Sequence, residues 1–141
     1  MNTNQKFGIA IHVLAYLKIE EPNYVTSTEL SKSINTNAVV IRRLLNELAK
    51  HNLIITKQGR FGSKINSDLK DITFYDVYKI FHQGNMLKPK HEPSQDCPVG
   101  SLVNSLVCKR IDVAITSFED VLKTYTIDDL KTELEEKLKW K

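Results

Sequence analysis

The stretch from Thr26 to Lys64 constrains the fold more than any other part of the chain, because it joins two short helical patterns to a hairpin pattern. It reads TSTELSKSINTNAVVIRRLLNELAKHNLIITKQGRFGSK, and the polar segment SINTN separates the two helical patterns. So short a turn holds two helices at a steep angle and leaves the second one exposed. The order helix, turn, helix and hairpin predicts a winged helix-turn-helix, whose second helix normally enters a DNA major groove.

Start signals and apolar periodicity set the bounds of these elements. Thr26 precedes Glu29 by three residues, the spacing of a capping box in which the hydroxyl and the carboxylate each accept a backbone N–H bond. We therefore expect a helix from Ser27 to Ser33. The next helix ends near His51 and has one apolar stripe, composed of Ile41, Leu44, Leu45 and Leu48.

The remaining patterns predict elements on both sides of this stretch. Residues 53–56 and 64–66 suit the two strands of the wing, residues 5–19 form an earlier helix, and another helix runs from Thr73 to Gly84. After a loop comes a helix of about 25 residues whose apolar seam is long enough to need a partner. Thr126 and Ile127 open a last helix.

The chain is therefore expected to be mainly α-helical with a small β-hairpin, a winged helix-turn-helix followed by a long C-terminal dimerisation helix. Residues 1–84 form the predicted DNA-binding domain, residues 85–96 a loop, and residues 97–141 the dimerisation helices, which are also candidates for sensing. The long helix contains the seam Val99, Leu102, Val103, Leu106, Val107, Ile111, Ala114, Ile115, Phe118, Val121 and Leu122.

Charge is distributed unevenly along the chain, whose net charge at pH 7 is +3. Residues 1–66 carry nine Lys or Arg against four Asp or Glu, a charge of +5, whereas residues 67–141 carry eleven against thirteen, a charge of −2. A basic first half suits a head that binds a polyanion, joined to a body with another role. An uneven scatter without functional meaning is the alternative that charge alone leaves open.

No apolar run approaches the roughly 20 residues that span a bilayer. The N-terminal segment MNTNQKFGIAIHVLAYL lacks a basic lead-in and a small-residue cleavage site, so no signal peptide is expected. The chain has two cysteines, too few for a disulfide framework. These features predict a cytoplasmic protein with no membrane partner.

The chain resembles the Rrf2 family of bacterial winged-helix transcription regulators. The residues that carry the resemblance are LSKSINTNAVVIRRLLNELAKHNLI, the wing TKQGRFGSK, and then DITFYDVYKIF and CPVGSLVNSL. The resemblance covers nearly the whole chain, and it implies a homodimer that binds a pseudo-palindromic operator in double-stranded DNA, usually as a repressor. It also implies that the long helix forms the dimer interface.

The N-terminal turn of a recognition helix lies nearest to the base edges, which selects four candidates for base contact. Arg43 suits guanine and the Asn37 amide suits adenine, each bidentate contact contributing about 1–3 kcal/mol of discrimination. Val39 and Val40 suit thymine methyl groups. The structural alternatives are that Val40 lies at the margin of the core and that Arg42 is only a solvated residue on the flank of the helix. The candidate phosphate contacts, which add salt-dependent affinity without sequence preference, are Thr28, Lys57, Arg60 and Lys64.

The wing departs from the family pattern at two places. Gln58-Gly59 stands where many members have Arg-Gly, and Gly62-Ser63-Lys64 stands where they have Gly-Gly-Tyr. Arg60 is then the candidate minor-groove arginine, or the wing only follows phosphates. The glycines of both segments give the backbone freedom that a tight tip needs. We therefore expect the helix that carries Arg43 to do more of the sequence reading.

Some Rrf2 members hold an iron–sulfur cluster through three closely spaced cysteines before the long helix, whereas this chain has only Cys97 there. Cys108 follows eleven residues later, and neither His82 nor His91 completes a ligand spacing, so we expect no cluster and no other metal site. Pro98 suits the first helical position and puts Cys97 at the N-cap, where helix N–H dipoles stabilise a thiolate. Cys97 is a candidate redox sensor, with an ordinary capping thiol as the alternative.

The sequence contains no Gly-rich phosphate loop, metal-ligand motif or nucleophile elbow, so we assign no catalytic residue and predict no enzyme. The acidic residues of the last helix, between Asp128 and Glu136, suit capping and a solvated face better than acid–base chemistry. The sequence thus predicts a DNA-binding transcription regulator. The alternative is a winged helix that contacts another protein, and the salt dependence of binding separates the two.

Overall fold

The structure, a computed structural model, describes residues 2–57, 62–82 and 87–139. Within these ranges the order of helices and strands agrees with the predicted order. The elements are α1 (Thr3–Ile19), α2 (Ser27–Ile34), α3 (Ala38–Lys50), β1 (Ile54–Lys57), β2 (Gly62–Ile65), α4 (Phe74–Phe81), α5 (Pro98–Leu122) and α6 (Ile127–Lys137).

Threonine side chains cap the starts of α2 and α4. The Thr26 hydroxyl accepts the Glu29 N–H at 3.2 Å, but it also donates to the Glu29 carboxylate at 3.3 Å. The reciprocal half of the predicted capping box is therefore replaced by a contact between the two side chains. Thr73 forms a full capping box with Asp76 at the start of α4. That helix ends at Phe81, and the predicted end at Gly84 lies outside the described residues.

The core is built around α1, whose residues Leu14 and Leu17 are fully buried. This helix packs against α2, α3, α4, α6 and β2. The predicted apolar stripe of α3 is buried in this core, chiefly against α2 and β1, which leaves the opposite face of α3 in solvent. The core cluster also takes in Val25, Leu30, Leu53, Ile54, Ile65, Ile72, Val77 and Ile127.

The two strands form an antiparallel hairpin in which Ile54 pairs with Ile65 and Lys57 with Gly62. Val25, in the link before α2, forms an isolated antiparallel β-bridge with Ser63, because the two residues exchange backbone hydrogen bonds at 2.7 and 2.9 Å. The wing is thus hydrogen-bonded to the chain immediately before the helix-turn-helix.

The last helix packs on the head. Ile127 belongs to the core cluster, and its N–H donates to the Ile72 carbonyl at 2.8 Å. Lys18 of α1 and Asp128 of α6 form an ion pair at 3.6 Å. The C-terminal end of the 97–141 segment therefore lies against residues 1–84, while the division into these segments stays a prediction.

The long helix α5 is exposed along most of its length, and Leu122 is its one buried residue. Near its C-terminal end, Phe118 contacts Tyr78 of α4 with ring centroids 5.5 Å apart. The loop before α5 folds back along the N-terminal half, where the Asn104 amide donates to the His91 carbonyl at 2.8 Å. Within the described residues, no helix is both long and apolar enough to cross a membrane.

Candidate nucleic-acid interface

The turn between α2 and α3 is fixed by two asparagines. Asn35 ends α2 in the left-handed conformation, with φ of 59°, and Asn37 caps α3 by accepting the Val39 N–H at 2.7 Å. Asn and Asp tolerate the left-handed region better than other non-Gly residues. These two local preferences set the angle at which α3 leaves α2, and they hold α3 as an exposed helix.

A histidine bridges the first two helices behind this turn. His12 of α1 lies 3.0 Å, from Nε2, from the Ser33 hydroxyl of α2. Burial of part of the imidazole lowers the pKa of His12. His12 thus has a structural role, because it links the end of α2 to α1.

The outward face of α3 presents apolar and cationic side chains together. Arg43 is exposed and Val39 has 45% of its surface exposed, while Val40 is half-buried at the edge of the core. The face therefore offers an arginine fork and apolar side chains along the same helix, which are the groups that read guanine and thymine. The other exposed residues of this helix include Arg42, Asn46 and Lys50.

Asn37 caps α3, which is a different role from the base contact that the sequence predicts. Its Oδ1 is engaged with the Val39 N–H in the cap, whereas bidentate pairing with adenine uses both the oxygen and the amide N–H. A bidentate contact from Asn37 would compete with the cap. The base contact assigned to Asn37 stays a prediction, and the geometry favours Arg43 over it.

On the hairpin, two predicted phosphate contacts lie close to one aromatic ring. Lys57 Nζ is 5.8 Å and Lys64 Nζ is 5.1 Å from the centroid of the Tyr24 ring, within the range of cation–π attraction. Tyr24 thus holds two cations together, a role that no sequence pattern indicated because the three residues are far apart in the chain. Thr28 is exposed in the first turn of α2.

The backbone conformation of the wing requires a glycine at the start of β2. Gly62 has φ of +86°, and a Cβ at this position would overlap the Val25 carbonyl oxygen. Next to it, Ser63 is fully buried and its hydroxyl lies 3.1 Å from that of Thr56. The segment where the family has Gly-Gly-Tyr is therefore folded tightly against Val25. Arg60 and Gly59, which belong to the predicted tip, lie outside the described residues.

The predicted cysteine position is confirmed, because Cys97 is the N-cap of α5 and is exposed. Its side chain makes no capping hydrogen bond. Cys108 is half-buried on the side of α5 that faces the preceding loop, and both thiols are free. In that loop, Lys88 pairs with Asp112 at 2.8 Å, and this hydrogen bond raises the pKa of the Lys88 ammonium.

This arrangement defines a class of protein, a winged helix-turn-helix with an exposed recognition helix and a cationic wing. A family model described as "Rrf2: Iron-dependent Transcriptional regulator" matches residues 3–133. The chain therefore belongs to the Rrf2 family of DNA-binding transcription regulators, and it is a regulator and not an enzyme.

Relatives and solved structures agree with this assignment. YwnA of Bacillus subtilis (strain 168), named as an HTH-type transcriptional regulator, is 29% identical over 133 residues, which cover 93% of this chain and 98% of YwnA. The crystal structure of a transcriptional regulator from Lactobacillus plantarum superposes with a TM-score of 0.74 at 24% identity, covering 92% and 89% of the two chains. CymR, the global cysteine regulator of B. subtilis, has the same fold, with a TM-score of 0.62 at 17% identity and coverage of 91% and 94%.

The iron in the family description requires a set of ligands that the described residues do not bring together within one chain. Cys97 and Cys108 are its only cysteines, and eleven residues of helix place them about 16 Å apart. Among the residues that the structure describes, no group of three or more His, Cys, Asp or Glu could hold a metal ion. The donor set does not fit an iron–sulfur cluster, which needs four ligands around one centre.

Proposed function

We propose that the chain works as a homodimer that binds a pseudo-palindromic operator, with α3 in the major groove and the wing on the adjacent backbone. We also propose that it represses, because a dimer that covers promoter DNA competes with RNA polymerase for it. The observation that carries this proposal is the uncovered apolar stripe on α5, which requires a partner, next to an exposed recognition helix.

The stripe runs along the outward side of α5. Val99, Leu102, Leu106 and Val113 follow one another at spacings of three, four and seven residues, and Val99 and Val113 have 70% and 66% of their surface exposed. This is the heptad spacing that lets two helices pack side by side. At 1.5 Å per residue the stripe is about 21 Å long, so a second copy of α5 would cover it.

A second copy also explains why the predicted seam divides in the structure. Val103, Ile111 and Ile115 are half-buried within the same chain, whereas Leu102 and Leu106 are exposed. Only the exposed part needs an intermolecular partner. Of the fourteen large apolar side chains exposed in the described ranges, seven lie on α5, and they are Val99, Leu102, Leu106, Val107, Val113, Phe118 and Val121.

In this proposal Arg43 reads a base edge, and Val39 and Val40 meet thymine methyl groups. Lys64 and Lys57, held at Tyr24, follow the phosphate backbone together with Thr28. Three observations support these roles: the exposure of the α3 face, the two lysines beside one ring, and the excess of positive charge in residues 1–66. The role of Arg60 at the tip of the wing stays a prediction.

We further propose that the protein works without an iron–sulfur cluster and that Cys97 is its redox-responsive group. The support is its position, because Cys97 is exposed at the N-terminus of the helix proposed to form the dimer. An adduct on Cys97 would stand at the end of the stripe that begins with Val99. A change in the dimer contact is then the route from oxidation to DNA affinity.

The dimer is tested by placing a charge on the stripe. We expect Leu102→Glu to yield a monomer in sedimentation velocity and to lower operator affinity about a hundredfold, because both half-sites can no longer be bound together. Ser101→Glu is the matched control, since Ser101 is an exposed neighbour off the stripe, and it should leave the dimer intact. A Leu102→Glu protein that stays dimeric, or a monomer with unchanged operator affinity, contradicts the proposal.

A further inference from the structure

A groove of about 660 Å³ lies beside the recognition helix. Its walls are the first turns of α1, one side of α3 and the end of α4, which contribute Thr3, Leu44 and Phe81 among others. The volume lies within the range of about 300–1,000 Å³ that is typical of small-molecule sites. The helix α3 of the helix-turn-helix supplies one wall of this groove, and the stripe on α5 contributes no residue to it.

The groove combines an apolar floor with a cationic rim. Val40, Leu44, Ile80 and Phe81 line it with aliphatic and aromatic groups. Leu44 is 97% buried in the core, and the other three are half-buried. A DNA phosphate is hydrated and needs no such floor, whereas the apolar body of a small ligand gains free energy from covering it.

The charged residues of the rim favour an anion. The groove is lined by three cationic residues, Lys6, Arg43 and Lys50, and by one acidic residue, Glu47. Glu47 forms an ion pair with Lys50 at 3.6 Å. Among the described residues, no carboxylate lies within ion-pair distance of Lys6 or Arg43. Two cations from different helices thus face the groove without a counter-charge.

We propose that this groove binds a small organic anion, whose aromatic or aliphatic body lies on the apolar floor and whose carboxylate pairs with Lys6 and Arg43. Arginine and lysine rims recognise carboxylates by charge-assisted hydrogen bonds. The ligand class is defined by two features together, a negative charge and an apolar body.

The same side chains link the groove to DNA reading. Arg43 and Val40 line the groove and are also the proposed base contacts, so the bound anion and the operator compete for them. Reciprocity then requires that operator binding lower the affinity for the anion by the same factor. This coupling rests on the proposed function, whereas binding of the anion does not.

Binding of the anion is tested on the full chain without DNA. The probe is 2-naphthoate, and the control is 2-naphthamide, which has the same ring system but no charge. We expect saturable amide shift changes at Val40, Leu44 and Ile80 in two-dimensional NMR, with a dissociation constant of about 1 mM or lower. The neutral amide should bind about tenfold more weakly. Lys6→Gln should remove this difference, and the control Lys109→Gln, a change of an exposed lysine on α5, should preserve it.

Three results would overturn the binding. The first is equal affinity for naphthoate and naphthamide, and the second is a set of shift changes confined to the stripe on α5. The third is a set of amide shifts in the groove that change with protein concentration and not with naphthoate. A second copy of the chain would then be the occupant of the groove.

The coupling is tested by adding saturating 2-naphthoate to the protein bound to its operator. We expect operator affinity to fall at least tenfold, and naphthamide at the same concentration to have a much smaller effect. Unchanged operator affinity with naphthoate bound in the groove would overturn the coupling. Absence of any DNA binding by the ligand-free protein would contradict the proposed function, while the NMR titration still decides the groove.

Discussion

Arg43 and its sequence neighbour Arg42 differ in what surrounds them, although both are exposed on α3. Arg43 lies on the rim of the groove and beside the half-buried Val40, and Arg42 is absent from that rim. Successive residues of an α-helix point about 100° apart, so the two arginines cannot face the same base pair. At the residue scale, specificity should therefore depend on Arg43.

We expect Arg43→Ala to relax specificity, reducing the preference for operator over random DNA by about 1–3 kcal/mol. Arg42→Ala is the matched control and should change that preference much less. Lys64→Ala should weaken binding to both DNAs alike and reduce the salt slope by about 1. Competition titrations at several salt concentrations measure all three, and equal losses on operator and random DNA for Arg43→Ala would contradict its assignment.

The second prediction at this scale concerns the thiol of Cys97. Treatment with hypochlorite should form an adduct at Cys97, because this thiol is exposed, and should change operator affinity. Cys97→Ser should abolish both effects, whereas Cys108→Ser, which removes a half-buried thiol, should retain them. Mass spectrometry and DNA titration of the same samples check this. An unmodified Cys97 with unchanged DNA affinity after treatment removes the redox proposal.

Some roles of single residues were not visible in the sequence. Asn37 was interpreted as a base contact, and the structure shows its oxygen in the α3 cap. No sequence pattern indicates a role for Tyr24, because its contacts with Lys57 and Lys64 form only when the wing folds against the link before α2. Both cases depend on geometry that residue type alone does not determine.

At the scale of elements, the wing depends on a backbone that one residue makes possible. Gly62 combines φ of +86° with close approach to the Val25 carbonyl. A side chain there meets strain from the left-handed conformation and from overlap with the backbone. The hairpin, with Lys57 and Lys64 on it, is therefore sensitive to this position.

We expect Gly62→Ala to lower the free energy of unfolding by at least about 1–3 kcal/mol and to weaken DNA binding through the misplaced wing. Gly8→Ala is the control, because a Cβ at Gly8 in α1 meets nothing within 4 Å. It should raise the unfolding free energy by about 0.5–1 kcal/mol. Urea denaturation measures both, and an unchanged unfolding free energy for Gly62→Ala would show that this account of the wing is wrong.

The elements themselves were largely predictable. Caps at Thr26, Thr73 and Thr126, together with apolar periodicity, give the starts of α2, α4 and α6 correctly, because these signals act within one turn of helix. The seam of α5 was correct in length but not in grouping. Periodicity identifies the apolar seam, and only the fold decides that Val103 and Ile111 are half-buried while Leu102 and Leu106 are exposed.

At the scale of the whole molecule, the hydrophobic core and the apolar stripe lie in two different regions. The head contains nearly all of the core, and α6 returns to it through Ile127 and the pairing of Thr73 with Thr126. The long helix α5 carries an apolar stripe that the described part of the chain leaves exposed. The proposed dimer would present a recognition helix from each head and make its contact along α5, which is the arrangement that a two-fold operator requires.

The central claim is that this chain reads DNA as a symmetric dimer, and selection of bound sequences from random duplex DNA tests it most directly. Run with reduced and with oxidised protein, the selection should enrich two inverted half-sites whose centres lie about one helical turn apart, or a multiple of it. Oxidation should weaken the enrichment. Recovery of unenriched DNA, or of a single motif without two-fold symmetry, would contradict the account.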